Sequence, residues 1–179
     1  MLSELGNTIA KPAWFGIRVH PRNEVRASDN LSLRGYEPFL PARRVRRRWS
    51  DRFKILDEPL FPGYLFCRFD VSERTRILES PGVIQVIGIG RTPVPVGDAE
   101  IGAIQIMVAS QVGLLPWPYL QTGQRIQIET GPLAGIHGIV VRSEADNPRV
   151  VVSVTLLHRS VAAEIERDWI GPVTSREFS

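Results

Sequence analysis

Two stretches of the chain hold residues whose type and spacing could do chemistry. The first is Arg43, Arg44, Val45, Arg46, Arg47 and Arg48, followed at once by Trp49. Guanidinium forks bind phosphate oxygens bidentately, and an exposed indole can stack on an unpaired base. Such a run is either a nucleic-acid contact or a solvated hairpin face. The second stretch, residues 58–69, sets Phe61, Tyr64, Phe66 and Phe69 around Pro59, Pro62 and Gly63. Its prolines and glycine break any helix, and the aromatic run from Tyr64 to Phe69 suits a buried strand delivered by a turn. On a strand, Tyr64 and Phe66 share one face while Leu65, Cys67 and Phe69 share the other. One face can fill a core while the other receives a partner, or both can be covered within the domain.

No comparable grouping points to catalysis. Ser153 and Ser160 lack a paired His and carboxylate, no Gly-rich phosphate loop ending in Lys is present, and the acidic residues are dispersed. His20, His137 and His158 are too scattered for metal-ligand spacing, and the single Cys67 excludes an internal disulfide. The expectation is a binding protein, not an enzyme, with no metal or cofactor.

The composition, 43% hydrophobic and 23% charged over 179 residues, is that of one or two ordinary globular domains. No apolar run approaches the roughly 18 residues a bilayer requires. Residues Met1 to Lys11 include Glu4 and lack the apolar core of a signal peptide. A cytoplasmic protein that makes no membrane contact is expected. The net charge is only +3, but of the 22 basic residues just Lys11 and Lys54 are lysines. The positive charge is guanidinium, and it is concentrated in the 43–48 run.

The elements that must position these residues follow from pattern. Residues 1–12 show no periodicity and read as a flexible tail. Trp14 to His20 reads as a central strand. A helix follows from Arg22 to Arg34, with Val25 and Leu31 on one face, Glu24 in its first turn and Gly35 past its end. Tyr36 to Pro41 is a second strand, and Arg43–Trp49 with Arg52–Leu56 forms a hairpin turning at Ser50 and Asp51. After the aromatic strand, Ser72 is placed to cap a short helix over 73–79. Val83–Ile89 is a strand and Pro93–Val96 an extended piece, and Asp98 caps a helix whose Ile101, Ile104 and Val108 recur at helical spacing. This order predicts an α+β domain over 13–108, an antiparallel sheet with helices on one side. Residues 109–121, with Pro116 and Pro118 around Trp117, read as a linker able to reach about 40 Å when extended. Short strands at Arg125–Glu129, Ile136–Arg142, Arg149–Leu157 and Val161–Glu166, with a turn at Asp146-Asn147-Pro148, predict a small β-barrel over 122–179. Gly138 within a strand marks a bulge or close backbone approach.

Four segments in order carry a family resemblance. Residues Leu60-Phe61-Pro62-Gly63-Tyr64-Leu65-Phe66 resemble the signature of the NusG family of transcription elongation factors, Trp14–His20 its opening strand and Ser80–Gly88 the segment that closes its sheet. Gly123–Ile128 with Gly131–Gly138 resembles a KOW motif. The resemblance implies a ferredoxin-like NGN domain followed by an SH3-like KOW barrel. It implies that Phe61, Pro62, Tyr64 and Phe66 line an apolar depression for the clamp helices of the largest catalytic subunit of RNA polymerase. Arg43, Arg44, Arg46, Arg47, Arg48 and Trp49 would then meet DNA near the transcription bubble, and bound factor would suppress pausing. Glu73-Arg74-Thr75 lies where family members touch the opposite jaw of the polymerase, or does no more than start the short helix.

In the family's housekeeping members, a Gly-Arg pair after an aromatic marks the barrel loop that engages the helicase Rho or a small-subunit ribosomal protein. Here Arg159 is kept, with Leu157 in place of the aromatic and His158 in place of the glycine. Leu156, Leu157 and Arg159 are the matching partner contacts. These departures resemble the specialised paralogues of the RfaH, UpxY or LoaP kind, which serve particular operons. The β-branched runs at 139–141 and 150–152 favour strands, so an open protein with a permanent barrel is expected. A ribosome-associated or RNA-binding KOW protein and a Rho-linked termination factor are the alternatives.

Overall fold

The structure, a computed structural model, describes residues 11–120, 123–141 and 147–170. Most of the expected tail, residue Arg142 of one expected strand, residue Asp146 of one expected turn and the last residues of the expected barrel lie outside these.

Strand β1 (Ala13–Val19) is central. Helix α1 (Glu24–Leu33) follows, then β2 (Glu37–Phe39), the hairpin strands β3 (Ala42–Arg48) and β4 (Phe53–Pro59), and β5 (Tyr64–Phe69). Helix α2 (Arg74–Leu78), β6 (Val83–Val86), the two-residue strands β7 (Gly88–Ile89), β8 (Thr92–Pro93) and β9 (Pro95–Val96), and α3 (Asp98–Ala109) complete this half. The main sheet runs β2-β5-β1-β6, with β9 also on β1, and every pairing is antiparallel.

Alternation along β1 and β5 divides the core into two faces. Phe15, Ile17 and Val19 join Leu65, Cys67 and Phe69 beneath Ala27 and Leu31 of α1 and Ile77 of α2. The opposite face holds Trp14 and Phe66 against Ile101, Ile104 and Met107 of α3. Thus α1 and α2 share one side as expected, while α3 takes the other. Burying each such large side chain contributes about 1.5–3 kcal/mol before the entropy of ordering is subtracted.

Local chemistry explains where the elements stop. Helix α1 ends in a Schellman turn, in which Tyr36 N–H donates to the Leu31 carbonyl and Gly35 N–H to that of Ser32. Gly35, at φ +87°, occupies the left-handed position this turn requires. Val25, expected on the inner face of α1, is instead exposed. The buried positions are Glu24, Ala27 and Leu31, because Glu24 has a polar partner inside. Asp70, not Ser72, caps the turn before α2: its carboxylate accepts from Ser72 N–H at 2.8 Å. Hydrogen bonding by the Ser72 hydroxyl and then by its N–H holds the Asp70 carboxyl below its ordinary range. Asp98 lies within the first turn of α3, and Gly97 precedes it as the cap.

The second half is a five-stranded antiparallel sheet in the order β10-β14-β13-β12-β11. Its strands are β10 (Leu114–Trp117), β11 (Gln124–Gln127), β12 (His137–Val141), β13 (Arg149–Val154) and β14 (Arg159–Glu164). An Ile128–Ile170 bridge joins the segment after β11 to the end of the described chain. Gly138 is needed for close approach, since a Cβ there would lie 2.5 Å from Val150 Cγ2.

Strand β10 falls inside the stretch expected to be a linker without regular structure. It is an edge strand paired to β14, and there Pro116 costs no ladder bond to a second neighbour. With residues 114–117 held in the barrel, the free span after α3 shrinks to a few residues. The barrel sits against the first half: Leu157 packs on Gly16 of β1, and buried residues of both halves form one cluster.

Candidate functional site

Phe61 and Phe66 are almost wholly buried, with 1% and 0% of their surface exposed, while Tyr64 is half-buried and Pro62 exposed. Phe66 stacks on Phe39 at 6.2 Å between centroids and meets Phe61 edge-on at 5.5 Å. Trp14 contacts Phe39 at 6.3 Å, extending the aromatic patch across the sheet. Gly16, between Trp14 and Arg18 on this face, leaves a dent. Leu157 of the barrel fills it, its Cδ2 lying 3.1 Å from where a Gly16 Cβ would stand.

This face is therefore shared by α3 and by the barrel at Leu157, and the open arrangement expected from the sequence is not the one observed. Two polar contacts accompany the apolar one: Arg43 donates to the Leu114 carbonyl at 3.1 Å, and Thr155 N–H approaches a Glu100 carboxylate oxygen at 3.5 Å.

The turn that presents Pro62 has its own anchor. Tyr64 N–H donates to the Phe61 carbonyl at 2.9 Å, with Gly63 at φ +82°, which is the geometry of a type II turn with proline at its second position. That conformation aims the Gly63 N–H inward, where Glu24 Oε1 accepts it at 2.9 Å. The Gly63 carbonyl in turn accepts from Val19 N–H at 2.9 Å. Glu24, on α1, thus fixes the loop carrying Pro62 and Tyr64.

In the hairpin, Arg43 lies opposite Glu58, Arg44 opposite Asp57, Arg46 opposite Ile55, Arg47 opposite Lys54 and Arg48 opposite Phe53. Glu58 receives Arg43 through Nε at 2.9 Å and Nη2 at 2.6 Å, and Arg47 Nη2 at 2.8 Å. Hydrogen bonds from Arg43 and then Arg47 hold its carboxyl below the ordinary range. Arg44 reaches Asp57 only at 3.9 Å, with both side chains exposed. The Arg46 guanidinium lies 3.9 Å above the Phe53 ring, and Lys54 lies 4.2 Å over Trp49, which remains exposed.

Of the barrel residues singled out in the sequence, Leu157 is buried, Leu156 is partly buried against the shared cluster, and Arg159 is exposed. His158 occupies a left-handed conformation at φ +48°, a position that favours glycine, and its ring meets Tyr119 at 4.9 Å. Burial, and then the 2.7 Å hydrogen bond that Glu73 accepts from Tyr36, raise the tyrosine's pKa. Burial pushes the Cys67 thiol up to about 12, so it is inert.

Sequence reading missed Glu24 and Glu58. A Pro-Gly turn with an inward N–H needs an acceptor, and a seven-residue hairpin register puts an acid beside alternate arginines. Both cues become readable only once the pairing is known. Among the described residues, no group of three or more His, Cys, Asp or Glu could hold a metal ion, and no helix is long and apolar enough to cross a membrane.

Fold and site together define a two-domain α+β protein, an antiparallel sheet domain joined to a small barrel. The family model described as transcription termination factor NusG matches residues 12–105. The chain belongs to the NusG family, a family of transcription factors. The transcription termination/antitermination protein NusG of Thermus thermophilus is 25% identical over 174 residues, covering 86% of this chain and 94% of its own. That of Helicobacter pylori strain J99 is 25% identical over 164 residues, covering 85% and 93%. The solved structure "Domain interaction in Thermotoga maritima NusG" superposes with a TM-score of 0.57 at 18% identity, over 92% of this chain and 98% of that one. This last likeness establishes the α+β fold with its NGN-like and KOW-like halves.

Proposed function

We propose that this protein is a cytoplasmic, non-enzymatic transcription elongation and antitermination factor. It binds the clamp helices of the largest catalytic subunit of RNA polymerase through the face bearing Phe61, Pro62, Tyr64 and Phe66. The carrying observation is the aromatic cluster itself: Phe61 and Phe66 are buried in one cluster with α3 and barrel residues, with the exposed Pro62 and half-buried Tyr64 at its margin. A cluster of aromatic anchors of this kind suits a large apolar partner, since such anchors dominate interface energies. Binding would act by stabilising one polymerase state, without a covalent step.

The arginine hairpin would lie toward DNA near the bubble. The barrel loop with Leu156, Leu157 and Arg159 would engage a small-subunit ribosomal protein or Rho once it leaves the aromatic face. Those loop residues depart from the housekeeping pattern at Leu157 and His158, which favours a paralogue serving particular operons. A pull-down of bacterial core RNA polymerase by the full chain, beside Tyr64→Ala, tests the reading. Retention by wild type with at least tenfold loss in the folded variant is expected. Equal retention by both would remove the aromatic face from the interface, and no retention by either would favour an RNA-binding KOW protein.

A further inference from the structure

The hairpin has two chemically different sides, although the sequence presents its arginines as one run. Directly opposed residues of an antiparallel pair share a face. One face carries Arg43, Val45 and Arg47 with Lys54, Leu56 and Glu58; the other carries Arg44, Arg46 and Arg48 with Phe53, Ile55 and Asp57. On the first, the two arginines are committed to Glu58, and Arg43 also to the Leu114 carbonyl of the barrel. On the second, Arg48 makes no hydrogen bond or ion pair among the described residues, and Arg44 has only its exposed 3.9 Å approach to Asp57. Arg46 is packed on one side of the Phe53 ring, and Phe53 and Ile55 are 56% and 72% exposed.

From this asymmetry we infer that the Arg44/Arg46/Arg48 face, with Phe53 and Ile55, is a docking surface for unpaired nucleic acid. The inference rests on the proposed DNA contact of the hairpin and assigns it a side and a strand state. Alternate residues of β3 set the Cα atoms that carry these guanidinium groups about 6.7 Å apart, of the order of successive phosphates along an extended strand. Their free N–H donors supply charge-assisted bonds to phosphate oxygens. The exposed surface of Phe53 offers a base a stacking platform backed by Arg46, and Ile55 extends the apolar strip. A paired duplex keeps its bases stacked inside and gains only the phosphate contacts. Single strands should therefore bind more tightly than duplex of the same sequence.

The experiment measures fluorescence anisotropy of a labelled single-stranded oligodeoxynucleotide, and of the corresponding duplex, with the full chain over a range of salt. Three variants are compared with wild type: Arg44→Gln/Arg46→Gln/Arg48→Gln, Arg43→Gln/Arg47→Gln, and Phe53→Ala. The triple variant should lower the magnitude of the single-strand salt slope by about 2, since each lost phosphate contact removes about 0.7. Phe53→Ala should weaken single-strand binding about tenfold, within the range for a lost stacking platform, and leave duplex binding nearly unchanged. The Arg43/Arg47 variant should keep the wild-type slope. An equal or greater loss from that pair, or tighter binding of duplex than of single strand by wild type, would overturn the assignment while leaving the hairpin contact standing. Unchanged binding in both arginine variants would overturn the hairpin contact and this inference with it.

Discussion

The aromatic face of β5 and the arginine hairpin belong to the same domain, and the fold treats them in opposite ways. The first is sealed: Phe61 and Phe66 are buried, and Leu157 of the barrel is seated over Gly16, the cross-strand partner of Phe66. The second stands in solvent, with Trp49, Phe53 and Ile55 exposed beside Arg44 and Arg48. A contiguous apolar patch left open invites association, whereas guanidinium groups are already solvated and need no cover. The charged surface can therefore stand open, while the apolar one is covered.

Substitutions on the two surfaces should differ in effect. The largest effect is expected on the sealed side. Phe66→Ala removes a fully buried ring shared by the sheet, Phe39 and Phe61, and should lower stability by about 3–5 kcal/mol in urea unfolding. A loss below about 1 kcal/mol would mean that this face is not packed as described.

A smaller effect is expected at the anchor of the turn. Glu24→Ala leaves the Gly63 N–H without its acceptor and should cost about 1–3 kcal/mol, while Glu24→Gln, which keeps an acceptor oxygen, should recover most of it. If the two variants unfold alike, the hydrogen bond does not hold the turn.

Acid should act through Glu58, which holds Arg43, the residue that also reaches the Leu114 carbonyl of the barrel. Its carboxyl is held low by Arg43 and Arg47, so the stabilisation it contributes is present above its unfolded value and is lost as pH falls through its lower folded value. Below about pH 4, wild type should lose thermal stability more steeply than Glu58→Gln. Parallel curves for the two proteins would contradict this role of Glu58. On the solvated side, Arg44→Gln should change stability by no more than about 0.5 kcal/mol, as expected for an exposed pair at 3.9 Å.

Much of this architecture was legible in the residues. The two faces of β5, the hairpin, the strand positions of the barrel and the close approach at Gly138 follow from alternation, turn chemistry and glycine placement. What could not be read depended on partners distant in sequence. Pro116 and Pro118 argued for a linker, but an edge strand tolerates proline, so Leu114–Trp117 joins the barrel. Val25 has the more apolar side chain, yet Glu24 is the buried residue because Gly63 supplies a donor. The arginine run read as one patch, and only the register with β4 divides it, placing Glu58 beside Arg43 and Arg47. The β-branched runs foretold strands correctly, but strand propensity says nothing of whether a finished barrel stands free or docks.

In the proposed function, the barrel that seats Leu157 over Gly16 must leave the polymerase-binding face for binding. Leu157→Asp places a carboxylate against Gly16 in the buried contact and should release the barrel without touching Phe61, Pro62, Tyr64 or Phe66. The most direct measurement is the affinity of core RNA polymerase for this variant beside wild type. Binding at least tenfold tighter in the variant is predicted, because apparent affinity rises with the open fraction. Equal or weaker binding by the folded variant would contradict the claim.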